Sequence, residues 1–106
     1  MSDSELIKNA MKKGKSISCN YDGLFRKMSP YILGWKNNEL QCLLYQYGGK
    51  SKSGVINGVS EKNWRCLKLS KLKNIEVLDE PLHRPNVISH KKKSTCVDNV
   101  IFKIKL

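Results

Sequence analysis

A mainly β fold, entered through one short helix and closed by a further C-terminal strand, is the fold class this sequence predicts. Two observations carry it: a helical apolar stripe confined to the first residues, and an apolar alternation of period two that begins at Ile17 and returns between turn signals up to Leu106. The 106 residues suffice for one modest core, so one domain is expected.

Ser2-Asp3-Ser4-Glu5 has capping-box spacing, and Leu6, Ile7, Ala10 and Met11 form one stripe. Lys12, Lys13 and Gly14 give a favourable last turn and a stop, which predicts a helix over residues 3–13. After Gly14 the period becomes two: Ile17, Cys19 and Tyr21 alternate with serines and Asn20, and Asp22-Gly23 signals a tight hairpin into a second strand over residues 25–33. Lys36-Asn37-Asn38 supplies the next turn. Residues 40–47 read as a third strand, apolar on both faces and therefore central.

Residues 48–63 (GGKSKSGVINGVSEKN) have no period and read as a long loop, a length uncommon without a use. Alternation resumes over residues 64–69, and residues 74–78 make a fifth short strand that Asp79-Glu80-Pro81 ends. The composition then shifts. Residues 81–106 hold six of the 20 basic residues and one acidic residue, which sets a boundary between a unit over residues 1–80 and a basic connector with a terminal strand over residues 81–106. Val100, Phe102, Ile104 and Leu106 make that strand too apolar to be left in water, so it should pair with its own sheet or with a second copy as a homodimer.

The formal charge of +11 concentrates polyanions, which puts nucleotides, nucleic acid or an acidic protein first among partners. Cys19, Cys42, Cys66 and Cys96 are spaced 23, 24 and 30 apart, without a C-x-x-C pair. They read as thiols: Cys19, Cys42 and Cys66 are buried in strands, and Cys96, in the polar connector, is the most reactive. The N-terminal segment has no signal-peptide apolar region, and no run approaches the ~20 apolar residues of a membrane span, so a cytoplasmic, reducing compartment without membrane association is expected.

One placement asks for a chemical reason. Strand parity puts Arg26 on the face of Met28, Pro30 and Ile32, and Arg65 on the face of Leu67, Leu69 and Lys71. Two arginines entering apolar faces from strand ends can converge at the mouth of a small barrel and bind phosphate or carboxylate in bidentate fashion. The competing reading is an arginine that folds its stem over the core and leaves its head in water. Tyr21, Tyr31, Tyr45 and Gln46 in the same hairpin system favour the pocket.

The segments "ISCNYDGLFRKMSPYILG", "LLYQYGGKS" and "NWRCLKLSKLKNIEVL" resemble a WYL domain, the ligand-sensing β-barrel of many bacterial and phage regulators, over about residues 5–80. The resembling features are a short helix, a strand ending at Tyr21, Arg26 before Pro30-Tyr31, and a later strand that begins at Arg65 and runs to Leu72. The naming Trp-Tyr-Leu tripeptide is represented by Leu43-Leu44-Tyr45. The resemblance implies an Sm-like five-stranded barrel whose Arg/Tyr cluster, here Tyr21, Arg26, Tyr31, Tyr45, Gln46, Arg65 and Lys71, binds a nucleotide, an oligonucleotide or single-stranded nucleic acid. The chain has room for the sensor alone.

Other chemistry is poorly represented. His83 and His90 have no Cys or carboxylate at ligand spacing, Gly48-Gly49-Lys50-Ser51 lacks the earlier glycine of a phosphate loop, and the nine acidic residues show no paired-carboxylate pattern. No metal, cofactor or catalytic function is expected. Three readings follow: a non-catalytic ligand-sensing module; a single-stranded nucleic-acid binder using Lys50, Lys52, Lys91, Lys92 and Lys93 on the backbone and Trp35, Tyr47 or Trp64 on the bases; and a protein-interaction subunit acting on a host or phage regulator.

Overall fold

The computed structural model describes residues 2–51, 54–55, 63–83 and 96–104. The helix α1 (Asp3–Lys13) runs from an Ser2 N-cap, whose hydroxyl accepts from the Glu5 N–H at 3.3 Å, to Gly14 at φ 67°. It buries Ile7, Ala10 and Met11 against the sheet. Each of the larger two contributes roughly 1.5–3 kcal/mol of burial.

The strands follow in order: β1 (Lys15–Tyr21), β2 (Leu24–Lys36), β3 (Glu39–Ser51), β4 (Gly54–Val55), β5 (Trp64–Lys68), β6 (Lys73–Pro81) and β7 (Asn99–Lys103). A 3-10 turn, Leu69–Lys71, separates β5 from β6. The two-residue turns at Asp22-Gly23 and Asn37-Asn38 have positive φ at both central positions, the mirror-image turn that matches strand twist. They set the register from Tyr21↔Leu24 to Cys19↔Arg26 on one side and from Lys36↔Glu39 onward on the other.

Six strands form one antiparallel sheet. Its path is β6-β1-β2-β3-β5, and β7 pairs with β2. β4 adds a two-residue ladder to the end of β3, inside the stretch expected to be all loop. β5 and β6, at the two ends of the path, do not pair with each other among the described residues, so the sheet is not closed into a barrel.

β2 is long enough to hold two partners along one edge. β1 takes residues 24–28 and β7 takes residues 32–35. Pro30, which has no N–H to give a ladder, falls in the interval that neither covers. The terminal strand therefore pairs within its own chain. It needs Gly34, because a Cβ there would lie 2.2 Å from the Asn99 carbonyl oxygen and 2.3 Å from a Val97 methyl.

Two apolar clusters occupy the two faces. The first, beneath α1, contains Ile17, Cys19, Met28, Leu33, Cys42, Leu44 and Leu67. The second contains Tyr31, Ile32, Leu43, Tyr45, Trp64, Cys96 and Val97. Strict parity would have put Ile32 with Met28. The register slips between Pro30 and Ile32, with Tyr31 as the extra residue, and from there Leu33 rather than Ile32 faces the first cluster.

The cysteines correct the sequence expectation. Cys19 and Cys42 are buried free thiols, but Cys66 and Cys96 form a disulfide with Cα atoms 5.8 Å apart. Cys66 alternates with Leu67 and so faces away from the first cluster, where Cys96 meets it at the entry to β7. A pairing across 30 residues of chain is a tertiary fact that spacing does not reveal. No helix among the described residues is long and apolar enough to cross a membrane.

Candidate anion-binding site

β3 organises the site. Its alternation puts Cys42, Leu44 and Gln46 on the face of the first cluster, and its neighbours add Arg26 from β2 and Arg65 from β5. Arg65 stands opposite Leu44 and Arg26 opposite Gly49, so both arginines lie on the cluster's face, with Gln46 between them along β3. Arg26 is also paired with Cys19, another member of that face.

Arg26 is only 3% exposed. Its Nη1 donates to Gln46 Oε1 at 3.3 Å, and its guanidinium carbon lies 4.9 Å from the centre of the Tyr21 ring. Gln46 is itself buried and held in place by donating to the Gly48 and Lys50 carbonyls at 3.1 and 3.0 Å. The Nε atoms of Arg26 and Arg65 are both buried without a hydrogen-bond partner. Neither arginine takes part in the Lys15–Asp79, Lys27–Glu80 or Lys68–Glu39 ion pairs.

The electrostatics agree with the geometry. Burial lowers the pKa of Arg26, the nearby charge of Arg65 lowers it further, and Asp22, Cys19 and Tyr21 oppose the shift. Burial pushes the Cys19 thiol up to about 11 despite Arg26 beside it, so it is uncharged at neutral pH. The end of this sheet face therefore carries two cations, and the charge of Asp22 is the strongest of those that oppose the Arg26 shift.

Backbone shape matters as much. Gly49 has φ 84°, and a Cβ on it would lie 2.3 Å from the Phe25 carbonyl oxygen and 2.7 Å from Arg26 Cα. Only glycine lets β3 pass this close to the arginine. Gly23, Leu24, Phe25, Gly49 and Lys50 line a concavity next to it. Gly49 and Cys19 were not assigned to this site from sequence. The signals were present, as a Gly-Gly pair ending a strand and as the register that a two-residue Asp-Gly turn imposes.

Of the residues expected at the site, Tyr21, Arg26, Gln46 and Arg65 come together. Tyr31 and Tyr45 do not. They lie on the opposite face, packed edge-on to Trp64 with centroids 5.4 and 5.3 Å away, and the Tyr31 hydroxyl donates to the His83 carbonyl. Alternation is the reason: Tyr45 precedes Gln46, and Tyr31 is the bulge residue of β2. Lys71, placed by parity beside Arg65, is exposed on the 3-10 turn because β5 stops at Lys68. Lys50 is exposed at the rim, while Lys52, Lys91, Lys92 and Lys93 lie outside the described residues, as does His90.

Two of the three aromatic platforms expected for base stacking are otherwise engaged. Trp64 is buried between Tyr31 and Tyr45. Tyr47, the extra residue of a second register slip, stacks on His83 at 3.6 Å and donates to Glu80 at 2.9 Å. Trp35 remains exposed, at the opposite end of β2 from Arg26. Among the described residues no cluster of His, Cys, Asp and Glu could hold a metal ion. No protein-family model matches the chain, nor does any curated protein or solved structure.

Proposed function

We propose that the protein is a non-catalytic, WYL-type regulatory module that binds a nucleotide, a short oligonucleotide or a related anion through Arg26 and Arg65. One observation carries the reading: a buried guanidinium that donates to a neutral amide, keeps an unpartnered Nε and shares its face with a second arginine whose Nε is likewise buried and unpartnered. Proteins do not ordinarily leave buried charge in that condition, and a bound anion completes it. Gln46, anchored at both amide hydrogens, orients Arg26, and the Tyr21 ring supports it from one side.

The Sm-like barrel belongs to the same reading. The two end strands of the path β6-β1-β2-β3-β5 are consecutive in the chain, joined only through residues 69–72. A flat five-strand sheet would set them about 19 Å apart. The linking residues, three of them in a 3-10 turn, reach less than that, about 18 Å even if fully extended. A sheet curled toward closure, with the first cluster and the arginines on its inner side, satisfies this span, which supports the barrel reading. A cytoplasmic location also belongs here, without the support of four thiols, since two are in a disulfide.

Titration of short single-stranded oligonucleotides and cyclic nucleotides against wild type, Arg26→Met, Arg65→Met and the exposed-lysine control Lys13→Met tests the proposal. A charge-assisted contact contributes roughly 1.5–3 kcal/mol, so each arginine variant should bind about one to two decades more weakly, with little change in the control. The ligand-free Arg26→Met protein should keep its melting temperature, because the loss of the Gln46 and Tyr21 contacts is offset by removal of a buried, repelled charge. Equal small losses in all three variants would assign the arginines to general surface attraction and end this reading.

A further inference from the structure

The hairpin end of β2 carries an aromatic ring that neither apolar cluster uses. Phe25 is 50% exposed, lies outside both clusters and has the polar Asn20 as its cross-strand partner. Single exposed apolar side chains are ordinary. This one lines a cavity of about 420 Å³ together with Gly23, Leu24, Gly49 and the exposed Lys50. That volume falls within the range of about 300–1,000 Å³ typical of small-ligand sites. Among the described residues the other exposed aromatic is Trp35, at the far end of β2, so Phe25 is the open ring at the arginine end.

Three connections tie this cavity to the arginine site. Leu24 stands two residues from Arg26 in an unbroken ladder, from Tyr21↔Leu24 to Cys19↔Arg26, so the two share a face about 7 Å apart. Gly49 is the register partner of Arg26, and its missing Cβ lets the cavity wall pass against the Phe25 carbonyl and Arg26 Cα. Gln46 joins the two directly: its Oε1 accepts from Arg26 Nη1, and its Nε2 donates to the carbonyl of Lys50 in the cavity wall. A ligand anchored at Arg26 thus adjoins a hollow with glycine backbone on two sides and an aromatic ring on another. Stacking on such a ring needs only the π-face that every nucleobase has.

We propose that this cavity is a base subsite, in which Phe25 stacks on the planar base of a nucleotide whose phosphate the arginines hold. This rests on the anion-binding reading above and narrows it to nucleotides, over phosphorylated ligands that carry no ring.

Two ligand pairs test it, each pair equal in phosphate charge and different only in the base: adenosine 5′-monophosphate against ribose 5-phosphate, and a short single-stranded oligonucleotide against an abasic strand of the same length. In calorimetric titrations of wild type, the base-bearing member of at least one pair should bind about five- to hundredfold more tightly than its partner, the range expected of one base stacked on one ring. Phe25→Ala should bring both members to the affinity of the base-free one, and Phe25→Trp should keep the preference. Phe25→Leu retains apolar bulk without a π-face and should lose the preference as fully as Phe25→Ala, which separates stacking from packing. Arg26→Met should weaken the binding of every ligand in the set.

Equal binding of both members of each pair in wild type, still weakened by Arg26→Met, would overturn the base subsite and leave the anion-binding reading intact. A preference that Phe25→Leu retains would overturn it in the same way. A concentration-dependent dimer in sedimentation that Phe25→Ala dissolves would assign the cavity to a second copy of the chain instead. Binding of none of the four ligands would remove both readings.

Discussion

Replacing Cys66 with serine opens the one disulfide described and frees a loop of 30 residues in the unfolded chain. Cys66 is the better partner to change. Its side chain is exposed, whereas Cys96 is buried in the second cluster with Tyr31, Tyr45 and Trp64, and a hydroxyl there would add a desolvation penalty. In the chain-entropy treatment, closing such a loop removes about 12 cal/mol/K from the unfolded ensemble, or about 3.6 kcal/mol at 25 °C. For a domain near this size that corresponds to a fall in melting temperature of about 15–25 °C. Urea titrations of oxidised wild type, reduced wild type and Cys66→Ser would measure it. The two forms lacking the cross-link should share one lower midpoint, with a slope equal to or above the oxidised form because their unfolded chains expose more surface. Coincident midpoints for all three, or alkylation of Cys66 in native protein without reductant, would refute the assignment and restore the four-thiol reading.

Two further outcomes follow from contacts away from the disulfide. Gly34→Ala places a methyl against the Asn99 carbonyl and should force β7 off β2, so the amides of Asp98 and Ile104, which donate to the Trp35 and Tyr31 carbonyls, should lose hydrogen-exchange protection while those of β1 keep it; unchanged protection would mean the strand does not pack this closely. Glu80 accepts from Tyr47 and Lys27, which holds its carboxyl below the usual range, so its contribution to stability is present above the unfolded carboxyl pKa of about 4.3 and is lost as pH falls through the lower folded value; Glu80→Gln should flatten the acid limb of melting temperature against pH, and an identical limb would show that the contact is not formed in solution.

The strands were legible because each is bounded by chemistry that acts locally. Asp22-Gly23 and Asn37-Asn38 demand their turns, Gly14 ends its helix in the left-handed region, alternation identifies β1, β5 and β7, and an apolar run on both faces identifies β3. Local signals do not reveal where a register slips. The bulges at Tyr31 and Tyr47 are consequences of how β2 and β3 bend around two clusters, and they decide which residues leave the arginine face. Tyr45 was misplaced for a simpler reason, proximity in sequence being taken for proximity on a face. The Cys66–Cys96 pairing lay beyond sequence reasoning, since it joins a strand to a connector across the length of β6.

The question the sequence raised about Arg26 had two answers with different structural signatures. An arginine that only shields apolar surface keeps its guanidinium in water, and its exposure is concentrated at the head. Arg26 is buried as a whole, its Nε included, and Gly49 brings the β3 backbone too close for any side chain to stand between. Its register partner Cys19 and its neighbour Met28 are core residues, so the position could accommodate an apolar side chain of similar volume. Such replacements of buried charge are often neutral or stabilising by about 1–4 kcal/mol, which means that folding alone gives no reason for a cation at this point. Gln46 then makes sense as an orienting residue. Its amide is fixed by two backbone carbonyls, its oxygen takes one guanidinium hydrogen, and Arg26 Nε is left without a partner. Two arginines seated on one of two apolar clusters are the feature of this chain that the proposed anion binding accounts for and that folding alone does not.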